Sequence, residues 1–171
     1  MPSLPLTKIQ TLSNQIYPPI SPGTTTTTTL PYTTQVGRTK LAIAEALVNC
    51  FAYGVSLAYA NQTRDYQFSA FPGMHGQDVG YTFFNGDSAE GGLFGVPVDA
   101  ATAGVMQRWF VDFAAYGGGG GSSGSGAAGQ VVLPLYTAAA NVVNVTGGGF
   151  AVVRDPAANA RCEFWLRGLT S

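Results

Sequence analysis

The chain has 171 residues, 46% of them apolar and 10% charged, with 23 glycines and 10 prolines, so the apolar share suffices for one domain, or part of one, with a core diluted by glycine. Its 8 basic and 9 acidic side chains leave a net charge of −1, too little to recruit nucleic acid or an anionic membrane, and a neutral or small-molecule partner fits better.

Met1 is followed by Pro2-Ser3-Leu4-Pro5-Leu6, which lacks the basic start and unbroken apolar run of a secretory signal. Residues 1–37 read as an extended Pro/Thr-rich loop segment, with Pro18-Pro19, Pro22-Gly23 and Thr24 to Thr29; only Leu6 to Ile16 has the apolar spacing of a short helix. Arg38 to Ala60 then predicts a helix dominated by Ala, Leu and Val, with Glu45, Asn49 and Ser56 on one face and apolar side chains around the rest. Glu45 at a bilayer centre would cost about 2.5 to 3.5 kcal/mol, which favours a buried core helix needing neighbours on several sides over a membrane span.

Arg64 to Ala70 alternates polar and aromatic residues like a strand, and Phe71-Pro72-Gly73 breaks it into a loop. The loop carries His75, the only histidine, whose ordinary pKa near ~6.5 suits general acid and base chemistry; read alone, it fits a packing or loop histidine as well. Gln77 to Phe84 predicts a helical turn leaning Val79, Phe83 and Phe84 onto the interior, with Asp78 solvated or starting the helix rather than orienting the imidazole. Asp99 is placed to cap a helix reaching Tyr116, with Met106, Trp109, Phe110 and Phe113 as its core stripe.

Residues 117–130 form a Gly/Ser-rich loop. Its Gly120-Gly121-Ser122-Ser123-Gly124 matches the Gly-x-Ser-x-Gly pattern, but no strand precedes it and no helix follows, so Ser122 is not read as a nucleophile. Asn141 to Val145 and Phe150 to Val153 predict strands joined through Gly147-Gly148-Gly149, and Asp155-Pro156 a cap for a last helix with Cys162, Phe164 and Trp165. Cys50 and Cys162, read alone, fit a bridge or two buried thiols equally. Asn61-Gln62-Thr63 and Asn144-Val145-Thr146 match the glycosylation pattern, making Asn61 and Asn144 candidate acceptors.

Five ordered blocks carry a family resemblance: Tyr32-Thr33-Thr34-Gln35 with Arg38, Val48-Asn49-Cys50, the stretch from Met74 to Gly86, Met106-Gln107-Arg108-Trp109 with Phe113, and Arg161-Cys162-Glu163-Phe164-Trp165. Together they resemble the C-terminal third or so of type-B carboxylesterases and lipases, the cholinesterase-like α/β-hydrolases, and most resemble secreted fungal members. The resemblance implies an α/β fold, here the C-terminal portion of an α/β-hydrolase, helix-rich with a few strands and an incomplete sheet, over residues 38–171. It also implies that His75 matches the catalytic histidine of a Ser-Glu/Asp-His triad, which comes last in chain order in this fold, and that Cys50 pairs with Cys162. The serine elbow, the acid and the oxyanion loop have no counterpart in the chain. The resemblance thus implies part of an extracellular carboxylic ester hydrolase that uses no cofactor or metal, acts on a small-molecule ester or lipid, and depends on a missing N-terminal half. The alternative is a non-catalytic cholinesterase-like binding protein.

Overall fold

The computed structural model describes residues 5–20, 30–87, 95–117 and 131–168. In chain order its elements are α1 (Leu6–Thr11), α2 (Gln35–Ala44), α3 (Cys50–Ala58), β1 (Asp65–Phe68), α4 (Val79–Thr82), α5 (Ala100–Tyr116), β2 (Asn141–Thr146), β3 (Gly149–Arg154) and α6 (Ala160–Gly168). They fall into two units, Met1–Ala58 together with Pro156–Ser171, and Tyr59–Asp155. The chain is helix-rich with one small mixed sheet. Of the Gly/Ser-rich segment, residues 118–130 lie outside the described residues, as do Thr24 to Thr29.

The first unit is helical. α1 runs on as a π-helical turn through Ile16, and Thr34 caps α2 by accepting the Gly37 N–H at 2.9 Å. A second π-helical turn, Glu45–Asn49, joins α2 to α3. In an α-helix Glu45 and Asn49 would share a face, as the spacing predicts; the wider turn instead brings Cys50 beneath Glu45. Accordingly Glu45, Cys50 and Ser56 are buried, and Asn49 is exposed. Cys50 bonds to Cys162, 112 residues away, with Cα atoms 4.8 Å apart. Around the bridge pack Ala157, Tyr53 and Trp165.

α6 approaches so closely that a Cβ on Gly54 would lie 2.8 Å from a Leu166 methyl. Its cap is Asn159, which accepts the Arg161 and Cys162 N–H groups at 2.8 and 3.2 Å. Asp155 does not play that part, because its carboxylate accepts the Tyr136 hydroxyl at 2.7 Å. Buried Glu45 takes a two-pronged ion pair from Arg161, with Nη2 at 2.7 Å and Nε at 2.9 Å, and accepts the Tyr17 hydroxyl, which in turn accepts the Trp165 indole N–H at 2.8 Å. Burial first, and the Glu45 bond second, push the Tyr17 hydroxyl well above its ordinary range; the same carboxylate raises Arg161.

By length and composition Gln35–Ala58 could cross a membrane, and the core burial its sequence predicts is not supplied by the described residues. Ile43, Leu47, Val48, Phe51, Val55 and Leu57 are each at least 42% exposed, because α6 covers only one side of the helix.

The second unit is built on a three-stranded sheet in the order β1-β2-β3, with β1 parallel and β3 antiparallel to β2. Gly149, at a φ of +129°, closes the β2–β3 hairpin. Val143 and Val145 of β2 align with Tyr66 and Phe68 of β1 on one face, against which α5 lays Ala103, Met106 and Trp109. Asp99 caps α5 by accepting the Thr102 N–H at 2.8 Å, and Gly117, at a φ of +68°, ends it. The expected stripe is corrected at two positions, since Phe110 and Phe113 are exposed while Asp112 is buried. A narrow sheet covers only a narrow stripe, stepping by three residues from Ala103 to Met106 and Trp109. In α4 Tyr81 turns inward, edge-on to Phe68 at 4.9 Å, and the expected inward Val79 and Phe83 point out at 51% and 78% exposure. Phe84 packs against the core as its sequence predicts.

Candidate functional site

β1 delivers the chain into a tight loop. The Gly73 N–H donates to the Ala70 carbonyl at 2.7 Å, and Gly73 and Gly76 have φ of +68° and +79°, a region that penalises any side chain. Inside the loop lies Gln77, 1% exposed. Its Oε1 accepts the Gly73 and Met74 N–H groups at 3.0 and 3.1 Å, and its Nε2 donates to the Phe71 carbonyl at 3.2 Å. One buried amide thus satisfies three main-chain groups that no strand or helix serves.

The loop end is fixed separately. Tyr66 of β1 donates its hydroxyl to Asp78 Oδ2 at 2.7 Å; Asp78, half-buried, stands at the start of α4 as its sequence predicts, though its side chain makes no cap bond there. Burial, then the Asp78 bond, push the Tyr66 hydroxyl above its ordinary range. Between these two anchors His75 is exposed, and among the described residues no hydrogen bond or ion pair reaches its ring. An imidazole on a clamped loop, with both ring nitrogens open, can exchange a proton with a group brought to it.

The other sequence candidates lie elsewhere. Ser122 falls outside the described residues. Asn61 lies in a turn at a φ of +60°, Asn144 in the central strand, and both carry a buried side-chain oxygen without a hydrogen-bond partner among the described residues. The described residues hold no group of three His, Cys, Asp or Glu side chains suited to a metal. A groove of about 400 Å³ in the first unit, lined by Leu12, Tyr17, Ala42, Ile43, Leu47 and Trp165 among others, is apolar and holds no base beside a nucleophile.

Sequence reasoning missed Gln77, and the only signal was an uncharged amide two residues from His75 within a run of small loop residues.

Carboxylesterase patB of Penicillium expansum is 28% identical over 153 residues, which is 90% of this chain and 24% of that protein. Carboxylesterase patB of Aspergillus clavatus is 26% identical over 152 residues, 89% of this chain and again 24% of that protein. The chain is similar to fungal carboxylesterases. It spans about a quarter of the length of the curated relatives it matches. No family model matches the chain, and no solved structure does.

Proposed function

We propose that the chain is the C-terminal part of a carboxylic ester hydrolase of the α/β-hydrolase type, and that His75 is its general base and acid. The observation that carries this reading is the coincidence of carboxylesterase similarity over 90% of the chain with a lone, exposed imidazole on a clamped loop directly after a strand. In the complete enzyme a serine on polypeptide outside this chain attacks the ester carbonyl while His75 takes the hydroxyl proton. His75 then hands that proton to the departing alcohol, leaving an acyl-serine that water cleaves by the same exchange in reverse. On this reading the isolated chain lacks the serine that His75 serves and is inactive alone.

The test is hydrolysis of p-nitrophenyl acetate and butyrate by the chain, by the chain mixed with the unmatched portion of the Penicillium protein, and by both with His75→Ala. Background rates alone, and a rate in the mixture that His75→Ala abolishes, are expected. Turnover by the isolated chain that depends on His75 would sink the division of labour proposed here. Association without turnover would favour the alternative, an interaction protein of cholinesterase-like form.

A further inference from the structure

The apolar groove of the first unit owes its character to where its polar atoms go. Tyr17 and Trp165 present aromatic rings to it and turn their polar atoms inward, the indole N–H to the Tyr17 hydroxyl at 2.8 Å and that hydroxyl to buried Glu45. Thr39 donates its hydroxyl to the Gln35 carbonyl of its own helix at 3.0 Å, and Ser13 donates to the Gln10 carbonyl at 3.3 Å. Arg38 is the exception. Its guanidinium is held at the groove wall by uncharged acceptors, the Tyr17 and Ser13 carbonyls at 2.7 and 2.8 Å and Gln35 Oε1 at 3.3 Å, and its N–H groups outnumber them. Among the described residues no carboxylate pairs with it.

The charge of the unit points the same way. The whole chain is near neutral, but the first unit has five basic side chains against two acidic ones, and those two, Glu45 and Glu163, are paired with Arg161 and Arg167. An apolar trough beside a fixed guanidinium that no carboxylate neutralises matches a molecule with an apolar tail and an anionic head, and the planar fork suits a carboxylate. Size narrows the choice. A volume of about 400 Å³ is near the lower end of ligand pockets, roughly 300–1,000 Å³, and suits one alkyl chain rather than the two of a membrane phospholipid. Ala42 and Ala46, four residues apart on one wall, are small enough to leave the trough open.

We propose that this groove binds a single-chain fatty acid, with its tail along Ala42, Ala46, Tyr17 and Trp165 and its carboxylate on Arg38. The inference does not depend on the hydrolase reading, which places its chemistry at His75 in the other unit.

Titration calorimetry on the full, disulfide-bonded chain tests it, with decanoate set against decan-1-ol, which has the same tail without the charge. Decanoate is expected to bind at one site per chain, and decan-1-ol about tenfold or more weakly. Arg38→Met should weaken decanoate by a similar factor and leave decan-1-ol unchanged, and Ala42→Phe, which fills the trough, should abolish the binding of both. If Arg38→Met does not fold, the comparison of acid with alcohol on the wild type decides. Equal affinity for the two would overturn the role of Arg38, and decanoate binding that survives Ala42→Phe would overturn the site. Attachment to vesicles of phosphatidylcholine and phosphatidylserine without binding of decanoate would make the apolar face a membrane contact and overturn the proposal.

Discussion

His75 and Gln77 stand two residues apart in the histidine loop and do opposite things. His75 is exposed, so His75→Ala should move unfolding free energy by under about 0.5 kcal/mol. Gln77→Leu takes away the partner of the Met74 N–H and of the Phe71 carbonyl, leaving Gly73 only its bond to Ala70, and should cost about 2 kcal/mol in urea unfolding; equal effects for the two variants would refute the clamp. Glu45 offers a parallel contrast. Glu45→Ala leaves Arg161 without its partner and should lose about 3–5 kcal/mol, whereas Glu45→Leu with Arg161→Met should recover most of that loss. The Tyr17 hydroxyl has its folded-state pKa raised above the ordinary 10.0, so its contribution is complete below pH 10 and lost as pH rises through the folded value. Alkaline unfolding of the wild type above pH 10 should therefore be blunted in Tyr17→Phe, as followed by circular dichroism. His75 was legible in the sequence because it is the lone imidazole after a strand-like run. The partners of Gln77 and Glu45 were not, since a loop carbonyl has no letter of its own and Arg161 lies 116 residues from Glu45.

At the level of elements, the sequence revealed where helices and strands lie better than which way they face. β1, β2, β3 and α5 fall where alternation, glycine turns and the Asp99 cap place them, because those signals are local. Facing depends on what lies opposite. α5 buries only the stripe that a three-stranded sheet can cover, which leaves Phe110 and Phe113 out. The Gln35–Ala58 helix shifts phase at the Glu45–Asn49 turn, and no residue type in Glu45-Ala46-Leu47-Val48-Asn49 announces that. The turn makes a deletion informative. Removing Ala46 would put Cys50 four residues after Glu45, so a regular α-helix would keep both on one face; thiol titration under oxidising conditions should then find no free cysteine, as in the wild type, and two per chain would refute this account of the turn.

At the level of the molecule, the first unit is assembled from both ends of the sequence, and residues 59–155 form the second. No composition window marks such a division, since the closing contacts join residues more than 100 positions apart. The bridge between Cys50 and Cys162 encloses the whole second unit along the chain, and in the loop-entropy account such a link contributes roughly 4 to 5 kcal/mol, so reduction should lower the denaturation midpoint sharply. It also alters what a protease can accomplish. A single cut anywhere between the two half-cystines adds one water and separates nothing: the nicked protein remains one covalent molecule and releases two polypeptides only when a reductant opens the bridge. Electrophoresis run without reductant would thus pass a cleaved preparation as intact.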